Sequence, residues 1–223
     1  MNAGVRAGEG MLNTAMQLDA TIIASTNRGK ISEYSILLSQ AALWGRVTDL
    51  LHKGGEPPGQ ETGESYLENA VSKARHACEQ FDSPAIGDDG GIEVSSLGGI
   101  PGLRTARFTR AHGGPVEAMR ALAQRAGLVA PAPPSATPRV SPTVTATAHC
   151  AVALSLPDGR IFTGASTIEG ALQWPPLPDG PGLFPLFRGP PPWDAGAEVL
   201  LHRARAFESL LHDIQANATS RPP

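Results

Sequence analysis

The chain has 223 residues, with 18 basic and 21 acidic side chains and a formal charge of −3. A slightly acidic chain lacks the electrostatic footprint of a protein that binds polymeric nucleic acid, and no apolar run approaches the roughly 18–20 residues that span a bilayer. Two cysteines, Cys78 and Cys150, are too few for a disulfide framework or a thiolate zinc site, and the first 20 residues lack the apolar core of a secretory signal, so a reducing cytoplasmic setting is expected.

Hydrophobic residues make up 41% of the chain, enough to bury one sizeable core, while 25 glycines and 21 prolines point to long irregular stretches attached to it. There are only three lysines, Lys30, Lys53 and Lys73. Residues 1–17 read as a tail, 18–216 as one α/β domain and 217–223 as a second tail.

Within the domain, Ala20–Ser25 is short, apolar and β-branched and predicts a buried strand. A polar turn, Ser25-Thr-Asn-Arg-Gly-Lys30, leads into a helix with Ile31, Tyr34, Ile36, Leu37 and Leu38 as its apolar residues. In a second helix Leu67, Ala70, Val71, Ala74, Ala77, Cys78 and Phe81 fall on one stripe, and Ser65-Tyr-Leu-Glu68 forms a capping box at its start. Pro84–Gly87 predicts a short buried strand ending at the turn-forming Asp88-Asp89-Gly90-Gly91. Residues 115–126 predict a helix burying Val116, Met119, Leu122 and Ala123. Residues 127–146 hold five prolines and one charge and read as a linker. A hairpin follows, His149–Leu156 and Arg160–Ser166 about Pro157-Asp-Gly159. Residues 174–194 carry eight prolines and read as a loop; a last helix, about 196–215, places Leu200, Ala204, Phe207, Leu211 and Ile214 on one face.

Four groups carry candidate chemistry. The Ser25–Lys30 turn lies between a strand and a helix N-terminus, where backbone N–H groups and the helix dipole suit a phosphate; simple capping by Asn27 with a solvated Lys30 explains the same residues. Glu61, Glu64, Asp88 and Asp89 are hard oxygen donors suited to Mg²⁺ shared with phosphate, or turn formers. On an extended backbone the two aspartates point apart, so one can face a cleft while the other braces the structure. Asn69 and Lys73 lie four residues apart on the polar face of the second helix, a phosphate contact or a solvated surface. His202 and Arg203 begin the last helix, where a surface position is the plainer reading.

Taken together, these groups resemble the inosine triphosphate pyrophosphatase family. Ile22–Lys30 with Glu33 is similar to its T-x-N-x-x-K turn, and Glu61–Ala74 to its E-T-G-x-T-[FY]-x-E-N-A-x-x-K-A helix. Pro84–Val94 is similar to P-x-x-A-D-D-S-G-L-x-V, and Leu97–Arg107 to L-G-G-x-P-G-x-x-S-A-R. The resemblance implies an ITPase-like α/β fold, with a central mixed twisted sheet flanked by helices and a cleft between two lobes, in a homodimer. It implies Mg²⁺-dependent hydrolysis of a nucleoside triphosphate to the monophosphate and pyrophosphate. Ser25, Thr26, Asn27, Arg28, Gly29, Lys30, Asn69, Lys73 and Gly90 would then bind the substrate, the Ser25–Lys30 turn and Lys73 through its triphosphate. Glu61 and Asp89 would hold the metal, with Glu64 the alternative to Glu61. Asp89, Lys73 and Lys30 would be catalytic, Asp89 as general base.

The second half departs from the family pattern. Against the base-reading motif G-F-G-Y-D-P-x-F stands Gly180-Pro-Gly-Leu-Phe-Pro-Leu-Phe187, in which Pro181, Leu183 and Phe184 replace the stacking aromatic, the Tyr and the base-bonding Asp. His202 and Arg203 keep the end of an S-H-R motif with Leu201 for Ser, Gly90 replaces a Ser, and a lysine expected before S-H-R is missing. Phe184, His202 and Arg203 are therefore the expected base-end contacts, with altered base specificity. A catalytically weak nucleotide binder and a phosphatase acting on a modified nucleotide are the alternatives.

Overall fold

The computed structural model describes residues 18–41, 44–56, 61–129, 143–177, 182–189 and 198–219. The two tails lie largely outside this set, as do most of the linker and Pro181. A six-stranded sheet with the order β2-β1-β3-β4-β5-β6 forms the centre. β1 (Leu18–Ile23) runs parallel to β2 (Trp44–Asp49) and to β3 (Ala85–Val94). β4 (Val144–Ser155), β5 (Ile161–Leu172) and the two-residue β6 (Phe187–Arg188) continue it antiparallel. This is the mixed sheet that the motifs imply.

The helices are α1 (Arg28–Gln40), α2 (Leu50–Lys53), α3 (Tyr66–Phe81), α4 (Thr105–Ala111), α5 (Pro115–Arg125) and α6 (Glu198–Thr219). Two hydrophobic cores occupy opposite ends of the long strands. One joins Ile23, Tyr34, Leu38, Ile86, Leu154, Phe207, Leu210 and Ile214, sealing α1 and α6 to the sheet. The other joins Ile92, Val94, Phe108, Leu122, Ile168, Leu183 and Leu186 under α4 and α5. Each fully buried aliphatic or aromatic side chain contributes about 1.5–3 kcal/mol. β3, β4 and β5 pass through both cores, and the cleft opens between the two groups of helices.

Several local expectations change. β3 is one continuous ten-residue strand with Asp88 and Asp89 buried in its middle, because the ladder to β4 runs unbroken from Ala85 to Val94. The pairing outweighs the turn preference of Asp-Asp-Gly-Gly. β4 begins at Val144, inside the segment read as linker, and pairs with Leu172, so both hairpin strands are longer than expected. Val116 is 64% exposed and Leu67 39% exposed, so both lie outside the buried faces assigned to them. In α1 the buried face is Glu33, Tyr34 and Leu38, with Ile36 turned outward. In α6 it is His202, Arg203, Ala206, Phe207, Leu210 and Ile214, rotated from the expected stripe, with Leu211 only partly buried.

Two glycines fix how closely helices approach the sheet. A Cβ on Gly87 would strike the backbone of Ala70 and Ala74, so α3 rests directly on β3. A Cβ on Gly164 would likewise meet the backbone of Ala206 and Leu210 in α6. With no side chain between them, α3 and α6 hold their polar residues tightly against opposite faces of the sheet.

Candidate active site

The cleft encloses about 420 Å³ and is lined by Ala24–Asn27, Lys30, Glu61, Lys73, Asp88, Asp89 and Gly90 on one side. Leu103, Thr105, Ala106, Thr109 and Arg110 face it from the other lobe, with Gly182, Leu183, Phe184 and Arg203 completing the wall.

The turn between β1 and α1 is locally capped. Asn27 Oδ1 accepts the N–H groups of Gly29 at 3.0 Å and Lys30 at 3.4 Å, and Ser25 Oγ accepts that of Asn27 at 3.1 Å. Both readings of the turn hold in part, since Asn27 is the cap but Lys30 is not solvated. Its ammonium lies 3.0 Å from Asp88 Oδ1, with the side chain 16% exposed. Arg28 and Gly29 support the turn from outside the cleft lining.

On the α3 side of β3, Asn69 and Lys73 do not form an outer polar face. Asn69 is buried, donates to Asp89 Oδ2 at 2.9 Å and accepts from Gly63 N at 2.9 Å. Lys73 Nζ lies 2.6 Å from Glu61 Oε1 and 3.1 Å from Asp89 Oδ1, and donates to the Asp88 carbonyl at 3.2 Å. Burial pulls this ammonium down, but Asp89, Asp88 and Glu61 outweigh it and hold Lys73 above its ordinary value. Glu61 is positioned by Arg107, which donates to its carbonyl at 2.6 Å. Glu64 is exposed and stands outside the cleft, its N–H bonded to Glu68 at 2.7 Å. Ser65 caps α3 by accepting from Glu68 N at 3.1 Å, as the sequence predicts.

On the opposite face Asp88 meets Lys30 and Arg203. Arg203 is wholly buried rather than on the surface, with Nη1 2.6 Å from Glu33 Oε2 and Nε 3.2 Å from Asp88 Oδ2. Burial pushes the Asp88 carboxyl up, but Lys30, Arg203 and Lys73 together hold it well below the usual carboxylate range. Burial pushes Glu33 up against the pull of Arg203. Burial opposes the charge on Arg203 too, and Asp88 and Glu33 overcome it. Among the described residues the Nη2 of Arg203 has no hydrogen-bond partner although it is buried.

His202 is also buried, outside the lining, with its ring stacked on Phe184 at 4.0 Å and 13°. The Arg203 guanidinium lies 5.2 Å from the same Phe184 ring. Phe184 is 5% exposed, so its ring is packed in the wall rather than standing free as a platform. Gly90 lines the cleft, and a Cβ there would approach the His149 carbonyl at 2.6 Å.

Sequence reading gave no separate role to Glu33, Thr105, Thr109, Arg107 or Arg110. A carboxylate three residues after Lys30 on a helix packed against the sheet is the signal for Glu33. The motif ending at Arg107 covers Thr105 and Arg107, whereas no local pattern announces Thr109 and Arg110, which reach the cleft only through the packing of the second lobe.

Glu61 and Asp89 already converge on one cation, the Lys73 ammonium, and their hard oxygens fit a divalent cation that completes its shell with phosphate and water. Among the described residues no three acidic, His or Cys side chains gather for an all-protein metal cage. Carboxylates and cations converging in one cleft of a mixed sheet are the equipment of phosphoryl-transfer proteins.

The particular family follows from comparison. The Ham1 family profile matches residues 21–213, and the chain belongs to that family. A dITP/XTP pyrophosphatase of Exiguobacterium sp. is 33% identical over 201 residues, covering 86% of this chain and 95% of its own length. One from Acinetobacter baylyi is 43% identical over 94 residues, covering 41% and 43%. The nucleoside-triphosphatase / dITP/XTP pyrophosphatase of Mycobacterium abscessus superposes with a TM-score of 0.58 at 25% identity, over 86% of this chain and 98% of that one. A HAM1 protein of Coxiella burnetii gives a TM-score of 0.60 at 23% identity, over 91% and 99%, and supports the fold. The resemblance read from the motifs and the ITPase-like fold are both borne out. No helix among the described residues is long and apolar enough to cross a membrane.

Proposed function

We propose that this chain is a nucleoside triphosphate pyrophosphatase that hydrolyses a non-canonical or modified purine NTP or dNTP to the monophosphate and pyrophosphate. The observation that carries the reading is the convergence of Glu61 and Asp89 on Lys73, next to the Ser25–Lys30 turn. The activity named for the relatives supports the substrate class.

In this reading Ser25, Thr26 and Asn27 hold the phosphate chain while Lys30 and Lys73 neutralise it. A water oxygen attacks the α-phosphorus and gives its proton to Asp89 as the new P–O bond forms. The bridging bond from the α-phosphorus to the β-phosphate oxygen breaks, and pyrophosphate leaves with the electron pair. Asn69 holds the Asp89 carboxylate in place through its 2.9 Å hydrogen bond. Glu61 and Asp89 would hold Mg²⁺, which supplies charge neutralisation and alignment of the phosphates when bound.

Base recognition falls to Phe184 and Arg203 on the cleft wall, with His202 stacked behind Phe184, and Arg203 Nη2, which has no hydrogen-bond partner among the described residues, is the donor offered to a base oxygen. The apolar Phe184 leaves this end without the carboxylate that the family motif provides, which favours altered selectivity. A homodimer in the cytoplasm completes the reading by analogy with the family.

A panel of canonical, deaminated and modified NTPs and dNTPs, with and without Mg²⁺, tests the proposal. Pyrophosphate release with a base preference unlike that of the dITP/XTP enzymes is the expected result. No turnover of any member overturns it, and orthophosphate as the first product points to a stepwise phosphatase instead.

A further inference from the structure

Resting on the pyrophosphatase reading, we propose that Arg110 is a phosphate-binding residue that grips the substrate's phosphate chain from the lobe opposite the Ser25–Lys30 turn. Nothing in the four motifs assigns it, since the last of them ends at Arg107. α4 and the turn before it present Leu103, Ala106, Thr109 and Arg110 to the cleft at helical spacing. The hydroxyls on this wall are engaged, Thr105 Oγ1 with Gly102 O at 2.6 Å and Thr109 Oγ1 with Thr105 O at 2.9 Å.

The charge arrangement singles out Arg110. Each other cation of the lining carries a carboxylate: Lys30 pairs with Asp88, Lys73 with Glu61 and Asp89, and Arg203 with Glu33 and Asp88. Their fields are largely cancelled before any polyanion arrives. Arg110 is exposed, faces the cleft and, among the described residues, has no carboxylate or hydrogen-bond partner for its guanidinium. Its planar fork matches two phosphate oxygens at once.

Its surroundings add to the pull. Between residues 95 and 129 the charged side chains are Arg104, Arg107, Arg110, Arg120 and Arg125 against Glu117 alone, in a chain whose total charge is −3. This lobe therefore carries a net positive charge, and of its arginines Arg110 lines the cleft, where that excess helps draw a polyanion in.

The test uses Arg110→Ala and Arg110→Lys in the full chain. For Arg110→Ala, KM for every accepted nucleotide is expected to rise roughly 10- to 100-fold. Inhibition by inorganic tripolyphosphate weakens by the same factor, the salt dependence of kcat/KM flattens, and Tm stays unchanged. Arg110→Lys recovers part of the loss. If the unaltered chain turns over nucleotide while Arg110→Ala keeps its KM and tripolyphosphate inhibition within twofold, this inference falls and the pyrophosphatase reading stands. A loss confined to one nucleobase also overturns it, by making Arg110 a base reader. A chain that neither turns over nucleotide nor binds tripolyphosphate overturns both.

Discussion

Asp88 and Asp89 are neighbours on one strand, yet they belong to two different kinds of site. Asp88 points toward α1 and α6 into a closed network with Lys30, Glu33 and Arg203, where Arg203 has no exposed surface. Asp89 points toward α3 and joins Asn69, Lys73 and Glu61, with the Glu61 side chain 27% exposed at the cleft. Strand geometry makes the division, since successive side chains leave opposite faces. The closed side holds its charges by mutual pairing in a dry setting and anchors Lys30. The open side keeps two carboxylates on one ammonium at the edge of the cleft. Adjacent, chemically identical residues thus enter two different charge networks according to which helix covers them.

The largest effect that would sharpen this contrast is on the open side. Asp89→Asn keeps the shape but removes the proposed proton acceptor, and kcat should fall roughly 10²–10⁴-fold. Its unfolding free energy from urea titration should change by less than about 1 kcal/mol; wild-type turnover would break the division of roles. The converse holds for Arg203→Met, which strands Glu33 as a buried charge, leaves Asp88 with Lys30 alone and should cost about 3–5 kcal/mol in urea unfolding. Adding Glu33→Gln should recover part of that loss.

A smaller effect is expected at Gly87. Gly87→Ala pushes a methyl into the α3 backbone and should cost about 1–3 kcal/mol, with a loss of activity because Lys73 and Asn69 move with the helix. Unchanged kinetics would show that the close approach of α3 does not position the site.

The finest distinction is in pH dependence. The folded-state Asp88 carboxyl is held below its unfolded value, which is near 4. Its stabilising contribution is therefore complete above about pH 4 and is lost as the pH falls from there toward the folded value. The stability gap between wild type and Asp88→Asn should be full at pH 7 and shrink at pH 3, measured by urea unfolding at both. A gap that is the same at both pH values would remove Asp88 from the closed network.

Much of this was legible in the residues. The Asn27 and Ser65 caps follow from short-range hydrogen-bonding chemistry, which depends on neighbours in the chain and so survives any tertiary context. The first-half motifs likewise identified Lys30, Lys73, Glu61 and Asp89 as residues that gather in one cleft. The misreadings were about faces and burial. Asn69 and Lys73 looked like a solvated helix face because periodicity weighs polarity, whereas α3 turns that side onto β3 and satisfies it there. Arg203 looked like a surface residue because nothing local reveals that Glu33, 170 positions away in the chain, will neutralise it.

The sequence by itself determined β1, the helices α1, α3, α5 and α6, the β4–β5 hairpin, the capped turn at Asn27 and the family, because these rest on local propensities and ordered motifs. Tertiary structure alone decided that Asp88 and Asp89 sit inside a strand rather than in a turn, that Phe184 is packed against His202 and Arg203, and that Arg110 faces the cleft. The physical reason is that burial and charge pairing are properties of the assembled surface. Ladder hydrogen bonds and long-range ion pairs outweigh the small local preferences that a sequence displays.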